Sequence, residues 1–423
     1  MSSVRVRLRG HFDDQLYRTG YFLIIGTGVT SILGAGFWAL AARTYSAHQV
    51  GLNATAISAM TLVSGVCSLG LSAVLVRYLP IAGTATRRLI NGTYAITVTL
   101  ALLGGFVVAL TSSIWSPSLS FLSSGLWLVG FTLATAATTV FILQDNILTG
   151  LRAAQWIPLE NSLFAAAKLV LLVILSGLLP TSGPFVAWNA PLLIAIVAVN
   201  YLIYRRLIPA DRSFGELERR TVFRMAASNY AGNLFTLAGT LYLPVLVANL
   251  TSASDAAFFY IPWLFAMSLQ LVAINVTTSL TVEAAIDLQA LRRLTRRTLF
   301  HVMRLLLPLV AFTLLAAPLI LRIFGQDYAD EGTALLRWLA VGAVPAAIVA
   351  LGTSIARIEH RGRVVIALQV AHAVIVIGLS AALLPSSGIE GVGIGFVASQ
   401  TLLAVLMLAT LLRPVLFSGG STK

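Results

Sequence analysis

Charge is scarce in this chain. Of its 423 residues only 10% are Asp, Glu, Lys or Arg, while 58% are apolar. A soluble domain carries about a quarter charged residues, so this balance, with a mean hydropathy of +0.91, excludes that class. Cysteine is nearly absent. Cys67 stands alone in an apolar run, which excludes an intrachain disulfide and a thiolate metal centre. Long polar loops are missing too. The turns Ser116-Pro117-Ser118, Pro180-Thr-Ser-Gly183-Pro184 and Pro385-Ser-Ser-Gly388 are too short to house a catalytic domain. There is no Ser/His/Asp set, no His cluster for a metal and no Walker motif, so an enzyme is not expected and ATP hydrolysis would need another chain. Gly26-Thr-Gly28 and Gly391-Val-Gly393-Ile-Gly395 imitate dinucleotide loops, but neither follows a strand or precedes a well-placed acid.

What the chain has in quantity is apolar runs of bilayer length. They fall at roughly 21–42, 51–76, 89–112, 121–147, 156–179 and 185–204, then 225–248, 256–282, 299–321, 333–356, 364–384 and 389–412. Hydrocarbon offers backbone groups no outside partner, so runs of this length must be helical. The sequence therefore predicts an all-α polytopic membrane protein with about twelve transmembrane helices. Ala39-Leu-Ala41 imitates a signal-peptidase site, yet the run before it is long enough to span, and an uncleaved first helix is expected.

Arginine placement tests the count. With a cytoplasmic N-terminus, all but four of the 28 lysines and arginines fall on the inner side; the exceptions are Arg43, Arg322, Arg337 and the mid-span Lys168. So steep a bias is what the positive-inside rule predicts for twelve spans with both termini cytoplasmic. The net charge of +13 sits in short loops rather than on one domain face, so nucleic acid is not an expected partner. Membrane lipids and anionic substrates are.

The longest polar stretch, 205–224, lies near the midpoint and carries six arginines, Arg205 through Arg224. It predicts a cytoplasmic basic linker between an N-terminal six-helix bundle (1–204) and a C-terminal one (225–423). A shift of 206 residues lays Arg18 on Arg224 and Ser46-Ala47 on Ser252-Ala253. Six spans is an even number, so the halves are expected to be parallel repeats.

Few residues in the spans carry chemistry. Lys168 lies about twelve residues into the fifth span, roughly 18 Å deep at helical rise. An ion at that depth faces a cavity or a partner; carbonyls and Asp145 are the structural alternatives. Glu160 and Phe164 share its helical face. His372, midway along the eleventh span, reads as a packing residue. Arg18 and Arg224 stand at the inner mouths of the first and seventh spans, where guanidinium forks suit phosphate. Arg77 and Glu283, also 206 apart, form a candidate gating ion pair. Pro244, Pro262, Pro308, Pro318 and Pro345 each remove a backbone donor, and Pro244 is the expected hinge. Gly26, Thr30 and Gly34, and Ser64, Ser68 and Ser72, have the spacing for close helix approach.

Short motifs carry a family likeness. Ser31-Ile-Leu-Gly34, Ala41-Ala-Arg43-Thr-Tyr45-Ser46, Val50-Gly51, Leu69-Gly70-Leu71 and Val76-Arg77-Tyr78 open the chain. Leu148-Thr-Gly150-Leu-Arg152 and Phe324-Gly325-Gln-Asp-Tyr328 follow the fourth and ninth spans. Together they resemble the Wzx-like polysaccharide flippases of the multidrug/oligosaccharidyl-lipid/polysaccharide exporter superfamily. The resemblance implies a MATE-like pair of bundles around a central cavity, working by alternating access in a bacterial plasma membrane. The implied cargo is a lipid-diphosphate-linked oligosaccharide. Arg18, Arg43, Arg77 and Arg224, with Lys168, become the cavity residues that meet its diphosphate. The resemblance also implies drive by a Na+ or H+ gradient, with no bound cofactor, and an assembly line of glycosyltransferases and a glycan polymerase as partners. A cation-coupled multidrug exporter of the same fold is the alternative, and it should need buried acids in a half-bundle. A membrane glycan polymerase or ligase, or a non-transporting scaffold, lies further off.

Overall fold

The computed structural model describes residues 28–208, 219–286 and 291–412; the side chains of 219–229, 278–286 and 292 lie outside the description. Among the described residues there is no strand. The helices in order are α1 (residues 28–44), α2 (Ala47–Cys67), α3 (Leu71–Tyr78), α4 (Thr86–Leu110), α5 (Ser112–Trp115), α6 (Gly125–Gly150), α7 (Ile157–Ser176) and α8 (Gly183–Leu202). They continue with α9 (Arg219–Leu241), α10 (Leu243–Leu250), α11 (Ala253–Ile286), α12 (Leu291–Arg322), α13 (Gln326–Ile358), α14 (Gly362–Ser387) and α15 (Glu390–Met407). Ten helices of the described chain are long and apolar enough to cross a membrane, or eleven if the bent pair α9–α10 counts as one. Each of the twelve expected runs overlaps one of these helices or α1.

The chain divides into two compact units, Met1–Tyr45 with Met60–Tyr230, and Ser46–Ala59 with Ala231–Lys423. The first turns of α2 thus belong with the second unit. In the first unit Leu75, Ile90, Leu143, Ile147 and Ile203 pack α3, α4, α6 and the end of α8 together. Gly150 makes this possible, since a Cβ there would stand 2.7 Å from the Leu75 carbonyl oxygen. In the second unit Leu243, Val247, Phe259, Trp263, Leu339 and Phe396 form the central cluster. Gly51 of α2 sits so close to α11 that a Cβ would collide with the Ala253 carbonyl. Tyr260 is hydrogen-bonded to Ser58 along the same seam.

Local chemistry explains where the helices start. At α2 the Gln49 N–H donates to Ser46 Oγ (3.3 Å) while the Ser46 N–H donates to Gln49 Oε1 (3.1 Å), a reciprocal capping box. At α11, 206 residues on, the Asp255 N–H donates to Ser252 Oγ (3.0 Å), and that hydroxyl donates to Asp255 Oδ2 (2.8 Å). The two caps occupy the positions that the internal repeat aligned.

Several expectations change. The 205–224 stretch is helical at both ends: Ile203–Leu207 continues α8 in π-helical form and α9 already begins at Arg219. The turn expected at Pro385 is the last turn of α14, which ends at Gly388 with a left-handed φ of 55°. Pro262, Pro308, Pro318 and Pro345 lie inside continuous helices. Pro244 alone of the five coincides with a break, where Tyr230–Leu241 and Leu243–Leu250 meet at 42°. Gly34 is not a close-approach site, because a Cβ there would meet nothing within 4 Å. Gly26 lies outside the described residues. Ser64 does bridge helices, its Oγ donating to the Thr135 carbonyl at 3.0 Å. The Gly391–Gly395 run is a packing face of α15, set against Leu383 and Trp338.

Candidate functional site

Lys168 lies on α7 and is 5% exposed. Its ammonium faces three aromatic rings: Trp188 at 3.6 Å from Nζ to ring centroid, Phe164 at 5.2 Å and Phe37 at 5.3 Å. The helix period places Phe164 one turn before Lys168, and α1 and α8 bring the other two rings. The rings brace one another. Phe37 meets Trp38 and Trp188 edge-on at 5.3 and 5.4 Å, and Phe164 meets Phe141 at 5.1 Å. Among the described residues no carboxylate pairs with Lys168. The negative ring faces supply the field that an anion would otherwise provide. Asp145, the expected alternative partner, instead accepts a hydrogen bond from Asn161 Nδ2 at 3.4 Å.

The other expected site residues are placed as follows. Arg43 is exposed in the last turn of α1, and Arg77 is exposed in the last turn of α3. Arg18 lies outside the described residues, as do the side chains of Arg224 and Glu283, although α9 and α11 run through those two positions. His372 approaches Ser399 Oγ at 3.1 Å through Nδ1 and meets Phe396 edge-on, so it is a satisfied packing residue. Pro244 starts α10 and is buried.

Two features escaped sequence reasoning. One is the ring set around Lys168, because Phe37 and Trp188 are 131 and 20 positions from it and no local period links them. The other is Glu160, which is 7% exposed and has no hydrogen-bond partner for either carboxylate oxygen among the described residues. Its helical register with Lys168 was legible, but its burial against α4 and α6 was not.

No protein-family model matches this chain, and no curated protein sequence does. Solved structures do. The inward-facing conformation of a multidrug resistance MATE family transporter of the MOP superfamily superposes with a TM-score of 0.71 at 16% identity, covering 91% of this chain and 94% of that one. The lipid II flippase MurJ, in an inward closed conformation, gives 0.73 at 13% identity, covering 92% and 86%. A MATE structure in complex with MaL6 gives 0.65 at 15% identity, covering 94% and 95%. At such identities the likeness is one of fold. The chain has the all-helical, multi-pass architecture that these MATE proteins and MurJ share.

Proposed function

We propose that the protein is a transporter that turns a lipid-diphosphate-linked oligosaccharide from the inner to the outer leaflet of a bacterial plasma membrane, for cell-surface polysaccharide assembly. The observation that carries this reading is the charge balance: a net +13, almost wholly arginine, in a chain whose fold is shared with a lipid II flippase. A diphosphate needs donors that stay charged, and guanidinium forks bind it bidentately. Arg18, Arg43, Arg77 and Arg224 are the donors of this reading, and Lys168 adds positive potential from behind its rings. The finer assignment to Wzx-like flippases rests on the short sequence motifs. Both termini lie in the cytoplasm, and glycosyltransferases and a glycan polymerase supply and consume the cargo.

The test is reconstitution in liposomes with a fluorescent lipid-diphosphate oligosaccharide, reading its protection from an added quencher. The parent chain is expected to equilibrate the label between leaflets. The Arg18→Ala/Arg224→Ala double variant is expected to slow it at least tenfold. Equal rates in parent and double variant would overturn the assignment of these arginines, and no movement with the parent would overturn the cargo.

A second reading, a cation-coupled multidrug exporter, draws on one observation. Such an exporter should need buried acids in a half-bundle, and Glu160 and Asp145 are buried in the first unit. Efflux of a cationic dye from the same liposomes under an imposed Na+ or H+ gradient, without lipid movement, would select it.

A further inference from the structure

Two acids approach each other in the first unit with nothing to neutralise them. Asp145 lies near the end of α6, and Glu160 lies in the first turn of α7. They are close enough for their charges to act on one another. Both Glu160 oxygens are buried and without a partner, and so is Asp145 Oδ1. Asp145 Oδ2 accepts only the 3.4 Å bond from Asn161. Tyr94 on α4 is near enough to feel Glu160, but its hydroxyl donates to Asn200 Oδ1 at 3.0 Å and is not turned to the acid. Gln144, beside Asp145, is fully buried, and its Oε1 is also without a partner. Among the described residues no Lys, Arg or His forms an ion pair with either acid.

Burying carboxylates this way is costly unless something compensates them. Protonation removes charge but leaves a difficulty. A protonated Glu160 would carry an O–H with no acceptor in reach, since neither of its oxygens has a polar neighbour at hydrogen-bond distance. A cation placed between the acids resolves both problems, because it satisfies several orphan oxygens at once. The donor set is oxygen only, without thiolate or imidazole, and among the described residues no three His, Cys, Asp or Glu converge. That chemistry suits alkali and alkaline-earth ions, whose shells are completed by water, rather than transition metals.

We propose that Asp145 and Glu160, with Asn161 beside them, form a binding site for a hard, oxygen-seeking cation inside the first unit. The site does not depend on what cargo the protein moves. Na+ is the monovalent candidate, and Ca2+ and Mg2+ are the divalent ones.

Purified full-length protein in detergent, held in choline chloride at constant ionic strength, decides the matter. NaCl, CaCl2 and MgCl2 are titrated separately while the melting temperature is read, and retention of radioactive 22Na+ or 45Ca2+ is measured. One of these salts is expected to raise the melting temperature saturably, with about one ion retained per chain when Na+ or Ca2+ is the occupant. Glu160→Gln and Asp145→Asn are each expected to weaken binding at least tenfold. Each should also melt higher than the parent in choline alone, because an uncompensated charge is gone. Glu331→Gln, at an exposed acid on α13, is expected to bind as the parent does. A parent that responds to none of the three salts overturns the site, as does a parent that responds to pH alone. Parent-like affinity in Glu160→Gln overturns it too. If neither variant can be purified, saturable uptake by the parent still stands or falls against these outcomes.

Discussion

Trp263 donates its indole N–H to the carbonyl oxygen of Thr240 at 3.2 Å. Thr240 is four residues before Pro244, so its carbonyl is the one that the proline leaves without a helical donor. The bend of 42° between α9 and α10 therefore has a cause in Pro244 and a support in Trp263. Arg337 plays the same part elsewhere. Its Nε donates at 3.1 Å to the carbonyl of Leu314, four residues before Pro318. That contact gives one of the few outer-side arginines a structural occupation.

Trp263→Phe keeps the ring and removes the donor. It is expected to cost about 1–3 kcal/mol, the price of a carbonyl left buried without a partner, measured by thermal or denaturant unfolding in detergent. Adding Pro244→Ala restores a backbone N–H to compete for that carbonyl and should recover most of the loss. If the bend also serves as a hinge, Pro244→Ala alone will slow cargo movement without lowering stability.

Arg337→Met is expected to destabilise by about 1–3 kcal/mol for the same reason. The double variant with Pro318→Ala should lie close to Pro318→Ala alone. Strict additivity of the two changes would mean that the Leu314 contact has no energetic weight.

The ring set around Lys168 predicts a coupling energy. In a double-mutant cycle with Lys168→Met and Trp188→Leu, the interaction is expected at about 2 kcal/mol, as for a desolvated cation over an indole face. Lys168→Met should not unfold the protein, because it also removes a charge that costs a few kcal/mol at membrane depth. Additive melting shifts would show that the ammonium gains nothing from Trp188.

Gly51→Val places two methyl groups where the Ala253 carbonyl already stands. Loss of monodisperse protein on size exclusion is expected, whereas Gly34→Ala, with open space around it, should purify as the parent does.

The proposed gate makes a charge-reversal prediction. Arg77→Glu and Glu283→Arg should each abolish movement of the labelled lipid, and the double swap should restore it. Loss in all three would remove the gate from the mechanism.

Much of the architecture was legible before any coordinates. Apolar length and arginine alternation located the runs of the described spans, since a bilayer imposes both on the local sequence. Pro244 was singled out correctly for the break, and Ser46 and Ser252 for matched turns. Caps are local, three residues deep, and so they are readable. The candidate site was legible only in part. Lys168 was picked out by its depth, but its ring partners come from α1 and α8, and no period in one helix announces them. Gly34 was chosen by spacing and Gly51 was not, because the spacing of small residues does not say which face meets another backbone.

The sequence by itself determined that this chain is helical and membrane-embedded, and where each span runs. Those properties follow from hydrocarbon thickness, backbone hydrogen bonding and the cost of moving charge, all of which act on a single segment. Only the tertiary structure decided that aromatic faces would answer Lys168, that Trp263 and Arg337 would answer two prolines, and that Glu160 and Asp145 would be buried unanswered. Each of these depends on which side chains distant in the chain arrive within a few ångströms, and packing settles that.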